Sequence, residues 1–330
     1  MKVLITGAAG FIGGYLVRHC VTAGCTVLGI DHREPETAWS GADFRLCDVR
    51  DPALLSTLTT TFQPDRVFHL AAQSYPTVSL SQPLETIDTN VGGTVNLFES
   101  LRAAGMKPTV VVACSSAEYG PVASQDLPVR ESHALNPLHP YGVSKVAQDL
   151  LAAQYFYNDA IRSVRIRIFN TTGPGKQGDV CSDLARRAVE MELGIRPPAM
   201  VVGNLTPRRA ILDVRDLVRA LWLSTEHCTP GEVYNVSADQ TYSVQELIDA
   251  IRRQARIDFK IEQQTELIRA CDEPVIAGDS CKFRRSCNWA PQIALTTTLQ
   301  DMLTWWRTRL AVSIAPPLSA TSDHQSFRAA

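Results

Sequence analysis

The sequence has no apolar run of about 18 residues, the minimum for a membrane-spanning helix, so nothing in it reads as a membrane span. It has no charge surplus either. Its 32 Lys and Arg face 34 Asp and Glu, and a formal net charge of −2 offers no footprint for nucleic acid. There is no CxxC pair and no regular spacing among the nine cysteines, which argues against a zinc site or a disulfide framework. The cysteines read as reduced, mostly buried thiols of a cytoplasmic protein, and no metal is expected. No leader precedes the first strand pattern, so no signal peptide is expected. No internal repeat is present. Low complexity is confined to residues 313–330, rich in Pro, Ser, Ala and Thr, which read as a disordered tail. The 330 residues suffice for one large domain or two unequal ones.

Glycine is concentrated where chemistry is expected. The apolar run from Lys2 to Thr6 has strand length. Gly7, Gly10 and Gly13 follow at once, before a helix-like run from Tyr15 to Ala23. Strand, glycine turn and helix together make a dinucleotide fingerprint credible. The turn needs a residue free of Cβ, and the backbone must approach a pyrophosphate whose charge sits at the helix N-terminus. The next strand, Thr26 to Asp31, ends in a carboxylate placed to hold a ribose 2′-hydroxyl. Asp31 repels a 2′-phosphate and favours NAD(H). Arg33, two residues on, could accept the phosphate of NADP(H).

Further strands are expected at 44–47, 66–70, 110–114 and 164–169, with helices at 51–62, 83–104 and 141–158. This alternation predicts an α/β fold, a Rossmann-like doubly wound parallel sheet whose ligands lie beyond the C-terminal strand ends. Asp48, Ala71, Ala72, Ser115 and Asn170 fall just after such ends. Beyond Phe169 the pattern loosens into a loop at 171–178, helices at 181–193, 213–224 and 295–310, and short strands at 200–202 and 233–236. Little is periodic over 264–279. Tyr141 and Lys145 are four residues apart on one predicted helix, so they share a face. A nearby ammonium favours a phenolate, so Lys145 is expected to lower the Tyr141 pKa toward physiological pH. A tyrosine tuned that way exchanges the proton of a sugar hydroxyl while a hydride moves at the same carbon.

Seven motifs stand in order along the chain: Gly7-Ala-Ala-Gly10-Phe11-Ile12-Gly13, Asp48-Val49, His69-Leu70-Ala71-Ala72-Gln73, Asn90-Val-Gly-Gly-Thr94, Ser115-Ser116-Ala117-Glu118-Tyr119-Gly120, Tyr141-Gly-Val-Ser-Lys145 and Arg167-Ile-Phe-Asn170. As an ordered set, over about residues 1–312, they resemble an extended short-chain dehydrogenase/reductase acting on nucleotide-sugars. The resemblance implies a dinucleotide-binding domain over 1–170, to which 203–236 returns, and a smaller, partly discontinuous α/β substrate domain from 171–202 and 237–312. It implies that Gly7, Gly10, Phe11, Ile12 and Gly13 hold the cofactor pyrophosphate and Asp31 the adenosine ribose. Asp48 and Val49 would bracket adenine, and Leu70, Ala71, Ala72 and Gln73 would line the dinucleotide. Tyr141 and Lys145 would be the acid/base pair, with Lys145 also on the nicotinamide ribose. Ser115 would hydrogen-bond the reacting sugar oxygen, and Ser74, Ser116 and Glu118 would lie beside the sugar. Family members often pair through the helices corresponding to 83–104 and 141–158, which implies a homodimer.

In the second half, Phe169 to Gly175, Val202 to Asp216 and Leu267 to Pro274 resemble the branch using GDP-linked 6-deoxyhexoses, which holds GDP-mannose 4,6-dehydratase and GDP-4-keto-6-deoxy-D-mannose reductase. That implies a GDP-linked hexose substrate. Asn170, Arg209 and Arg269 would face its diphosphate, a guanidinium gripping phosphate as a fork, with Arg208 and Arg215 as alternative grips. Asp272 would take the GDP ribose. Ala210, Ala270 and Cys271 depart from the branch pattern and leave the sugar and base open. A 4,6-dehydratase must remove the C5 proton with a carboxylate base, in that pattern a Glu two residues after the Ser or Thr. Here that place holds Ala117, and Glu118 is one residue later. A reductase needs only hydride, tyrosine proton and hydroxyl donor. The reading is therefore reduction at C4 of a GDP-4-keto-6-deoxyhexose. A dehydratase, an epimerase and a non-catalytic dinucleotide-binding protein are the alternatives.

Overall fold

The computed structural model describes residues 1–268 and 273–314. The chain first lays down β1 (Lys2–Thr6), β2 (Thr26–Asp31), β3 (Ala42–Leu46), β4 (Arg66–His69), β5 (Thr109–Ser115) and β6 (Arg162–Ile168). Short strands follow: β7 (Thr171–Thr172), β8 (Ala199–Val202), β9 (Arg208–Ala210), β10 (Leu212–Asp213), β11 (Val233–Val236), β12 (Thr241–Ser243), β13 (Lys260–Gln263) and β14 (Val275–Ile276). The main sheet has the order β11-β6-β5-β4-β1-β2-β3, with every pair parallel. Growth reverses direction between β1 and β4, the switch point at which an open α/β sheet leaves a crevice.

The helices are α1 (Phe11–Thr22), α2 (Pro52–Phe62), α3 (Pro76–Ser81), α4 (Pro83–Ile87), α5 (Gly93–Ala103), α6 (Pro140–Asp159), α7 (Val180–Glu192), α8 (Val214–His227), α9 (Val244–Arg252), α10 (Cys281–Cys287) and α11 (Leu295–Ile314). Successive strand residues face opposite sides of the sheet, which makes both faces apolar. Val3, Ile5, Phe68, Val111 and Val164 pack with residues of α1 and α8 on one face. Leu4, Val67, Val110 and Val112 pack with residues of α2, α5 and α6 on the other. A separate core joins α7, α9 and α11 around Met200 and Phe259.

The structure differs from the sequence-based expectation at four places. The span 83–104 is not one helix: α4 and α5 are joined by a π-helical turn over Asp88–Gly92. Its centre, Asn90, is fully buried and bonds outside the helix, which is what an inserted residue allows. Residues 281–289 do not join the substrate core, because Phe283, Cys287 and Trp289 are buried with α8 against the main sheet. The helix α9 went unread, although Ser243 and Glu246 form a reciprocal capping box ahead of buried Leu247, Ile248 and Ile251. The final helix runs to Ile314, past the expected end at 310 and into the expected tail; the rest of that tail lies outside the described residues. No described helix is long and apolar enough to cross a membrane.

Candidate active site

The glycine turn leaves β1 at the switch point. Gly7 has φ +71°, and a Cβ there would stand 2.7 Å from the Ala71 nitrogen. A Cβ on Gly13 would stand 2.2 Å from the Gly7 carbonyl oxygen, so helix and turn could not close. Gly10 is different. It is the N-cap of α1, and a Cβ there meets only the Gly7 oxygen, at 3.1 Å. The fold therefore demands glycine at 7 and 13, whereas at 10 the space kept clear is on the open side. The first turn of α1 has no acidic residue and no side-chain cap, so its amide N–H groups remain available to an anion.

At the end of β2, buried Asp31 accepts a hydrogen bond from Ala9 N at 3.0 Å and another from Arg33 N at 3.3 Å. It thus braces the glycine turn from the side. The Arg33 side chain is exposed and turns back toward the Ala9 carbonyl, 3.5 Å away. Asp48 pairs with Arg50, and Val49 is buried against α5, where a Cβ on Gly93 would strike it. Leu70, Ala71, Ala72 and Gln73 are half-buried at the end of β4, and Ser74 is exposed beyond them.

A buried polar network supports that strand end. Thr6 Oγ1 accepts from Ala71 N and contacts His69 Nδ1 at 2.8 Å; His69 Nε2 meets Thr94 Oγ1 at 2.9 Å. The chain of donors assigns the proton to Nε2. Burial, helped by the Lys145 charge, drops the His69 pKa to about 3, so the ring stays neutral. Asn90 accepts from Gln73 N at 2.7 Å and donates to Gln73 O and to Ser144 Oγ, tying the β4 loop to α6. In the sequence Asn90, Thr94 and His69 stand out only as members of motifs; their contacts span 17–63 residues, which no local pattern reveals.

Tyr141 and Lys145 stand on the first two turns of α6, and the Tyr141 hydroxyl is hydrogen-bonded to Ser115 at the end of β5. The expected tuning does not hold. Lys145 donates to the Ala113 carbonyl at 2.8 Å, and its nitrogen lies 5.8 Å from the Tyr141 ring centroid. Burial pushes the Tyr141 hydroxyl up to about 12, only partly countered by the Ser115 hydrogen bond. Burial pulls Lys145 down to about 8. With its ammonium directed at a backbone carbonyl, Lys145 leaves Tyr141 a proton holder.

Glu118, expected beside the sugar, is fully buried. One oxygen accepts from Ser115 N at 2.7 Å and the other meets Arg167 Nε at 3.0 Å. Arg167 also holds Asp149 at 2.9 Å. Ser115 and Glu118 together cap a 3-10 turn over Ser116–Glu118, which directs the carboxylate inward and leaves Ser116 and Ala117 half-buried. Burial and the Asp149 charge raise the Glu118 pKa above the ordinary carboxylate range.

On the next strand end, Asn170 Nδ2 is buried and has no hydrogen-bond partner among the described residues. An orphaned donor of this kind costs free energy unless a ligand or water meets it. Arg209 donates to the carbonyls of Arg208 and Glu273, at 3.0 and 2.7 Å. The alternative grips are committed elsewhere: Arg208 to Thr241 and Glu246, Arg215 to Asp213 and Asp301. Arg269 and Asp272 lie outside the described residues.

The family model described as GDP-mannose 4,6 dehydratase matches residues 4–302. The chain belongs to the GDP-mannose 4,6 dehydratase family. It is thus an extended short-chain dehydrogenase/reductase of the kind that acts on nucleotide-sugars. Within this family it is 30% identical over 312 residues to a GDP-6-deoxy-D-mannose reductase of Pseudomonas aeruginosa, covering 94% of this chain and 98% of the relative. A UDP-glucose 4-epimerase of Lactobacillus helveticus is 28% identical, covering 88% of this chain and 92% of the relative. The structure of RMD from Pseudomonas aeruginosa complexed with NADPH superposes with TM-score 0.83 at 28% identity, covering 93% of this chain and 99% of that one. The similarity therefore runs over nearly the whole length of the chain.

Proposed function

We propose that this protein reduces the C4 keto group of a GDP-linked 4-keto-6-deoxyhexose with a nicotinamide dinucleotide. The observation that carries the choice among family activities is the burial of Glu118. A dehydratase needs a carboxylate at C5. Ala117 has none, and Glu118 faces inward onto Ser115 N and Arg167. Reduction needs no such base. The similarity to a GDP-6-deoxy-D-mannose reductase supports the same choice, while the epimerase relatives keep epimerisation as the second reading.

The site fits a dinucleotide: the clear side of Gly10, the free α1 amides and the brace of Asp31 form a cradle for a diphosphate and its ribose. The cofactor, when bound, supplies the hydride. Tyr141, protonated and hydrogen-bonded to Ser115, donates its proton to the C4 oxygen, and Ser115 fixes that oxygen's position. Lys145 keeps a positive charge beneath the phenol as it loses its proton. Asn170 Nδ2 gains an acceptor from substrate, and Arg209 on β9 is the residue proposed to meet its diphosphate. Asp31 favours NADH; Arg33, exposed beside it, provides the route to NADPH, the cofactor of the similar Pseudomonas structure.

Two copies are proposed to pair through α6 with α3 and α4. Val143, Leu150 and Tyr157 repeat every seven residues on α6 and are exposed, as are Leu80 and Leu84 beside them. Incubation with GDP-4-keto-6-deoxymannose and each reduced cofactor tests the activity. It should yield cofactor oxidation and a GDP-6-deoxyhexose, and failure with both cofactors would count against it.

A further inference from the structure

A lysine that no motif assigned stands over the start of α1. The loop Gly173-Pro-Gly-Lys-Gln-Gly178 leaves β7 and turns back on itself, with Lys176 N donating to Gly173 O at 3.0 Å. It is pinned to α1: Tyr15 donates its hydroxyl to the Pro174 carbonyl at 2.8 Å, and a Cβ on Gly173 would lie 3.7 Å from the Phe11 ring. Ser182 of α7 holds the Lys176 carbonyl from the other side. This places the Lys176 ammonium 5.1 Å from the centroid of the Phe11 ring, and Phe11 is the first residue of α1.

The ammonium has lost much of its water there without gaining a carboxylate. Among the described residues it has no ion pair. The one acidic group acting on it, Asp179, forms no ion pair with it and caps α7 through Ser182 N at 2.7 Å. A half-buried ammonium held by a pinned loop, over a helix start whose amides are unspent, lacks an anion. The turn Gly7 to Gly13 itself carries no cation. A diphosphate there would otherwise be balanced only by the partial charge of the helix end, about half an elementary charge.

We propose that Lys176 is a diphosphate-binding residue for the dinucleotide, its ammonium and the first-turn amides of α1 converging on the same anion. The proposal rests on the dinucleotide reading above and adds a residue from the far half of the chain. It makes the loop after β7, held to α7 through Ser182, part of the cofactor site.

The test is equilibrium binding of NADH and of ADP to the wild type, Lys176→Met and Lys176→Arg, by NADH fluorescence and by calorimetry for ADP. Methionine keeps the stem against Phe11 and removes the charge; arginine keeps the charge. Loss of a charge-assisted hydrogen bond predicts a Kd about tenfold higher or more for both ligands in the Met variant. The Arg variant should stay within about threefold, and the Kd for GDP should not move. The Met variant should also bind NADH with a weaker dependence on salt, one cation fewer being engaged. The inference is overturned if the Met variant, with unchanged Tm, binds NADH within about twofold of wild type, or if GDP affinity falls instead. Failure of the wild type to bind either NADH or NADPH would sink the dinucleotide reading itself, and is seen before any variant is made.

Discussion

At the scale of single residues, the proposed chemistry rests on Tyr141 and its neighbours. Tyr141→Phe keeps the ring and removes the proton. Turnover should fall by roughly 10²–10⁴-fold, with NADH affinity little changed, in paired steady-state and binding measurements. A fall of less than about threefold would remove Tyr141 from the mechanism. Glu118 makes a second, separate prediction. Asp149 and Arg167 face its carboxyl from α6 and β6, Ser115 N from its own turn, and Cys114, Tyr141 and Lys145 lie in the same electrostatic neighbourhood. Its folded pKa is raised, so the native state binds the proton more tightly than the unfolded chain. The stability this brings is complete below the ordinary carboxylate pKa and is lost as pH rises through the folded value. Gln cannot ionise and keeps the acceptor for Ser115 N. The Tm of Glu118→Gln relative to wild type should therefore climb between about pH 5 and pH 8. A difference that stays flat or declines would show Glu118 ionised throughout as a partner of Arg167. The Tyr/Lys pair was legible because both residues lie within one helical turn. The Glu118–Arg167 contact was not, because 49 residues and two elements separate them. For the same reason the sign of the Tyr141 shift was misread: spacing shows that Lys145 shares its face, but not that its ammonium is aimed at Ala113 O.

At the scale of elements, the glycines of the first turn divide into two kinds. Gly13→Ala drives a Cβ into the Gly7 and Ala8 oxygens, at 2.2 and 2.7 Å, and should destabilise the protein by on the order of 1–3 kcal/mol. Gly10→Ala meets only the Gly7 oxygen, at 3.1 Å, a contact that a small shift relieves, and should change stability by less than about 1 kcal/mol. It should nevertheless weaken NADH binding about tenfold or more. Thermal melts and fluorescence titrations of the two variants separate these effects, and equal loss of stability in both would contradict the division. Strands with a clear two-residue alternation or a continuous apolar run were readable from sequence. The short strands β9, β10, β12 and β14 were not, since two or three residues carry no period and form only because distant segments pair. The π-helical turn at Asn90 was hidden likewise: the helix pattern runs through it, and only the outward bonds of Asn90 require the extra residue.

At the scale of the whole molecule, the parallel sheet and its switch point followed from strand–helix alternation, whereas the way the second half divides did not. Residues 281–289 return to the sheet core because Phe283 and Trp289 find their partners there, a matter of packing that no linear boundary records. The proposed pairing of two copies is also a whole-molecule claim. Leu84 on α4 and Leu150 and Tyr157 on the adjoining α6 are 84%, 58% and 72% exposed, too much apolar surface on two neighbouring helices to leave in water without consequence. Sedimentation should find a dimer, and Leu84→Glu with Leu150→Glu should give a folded monomer; a monomeric wild type would refute the pairing. The central claim concerns which reaction the assembled site performs. The most direct measurement offers one preparation of the enzyme both GDP-mannose with oxidised cofactor and GDP-4-keto-6-deoxymannose with reduced cofactor, and analyses the sugars. The account predicts reduction of the 4-keto sugar and no loss of water from GDP-mannose, because Ala117 provides no base and Glu118 is held by Ser115 N and Arg167. Efficient dehydration of GDP-mannose would contradict it, and would mean that Glu118 leaves its buried partners to reach C5.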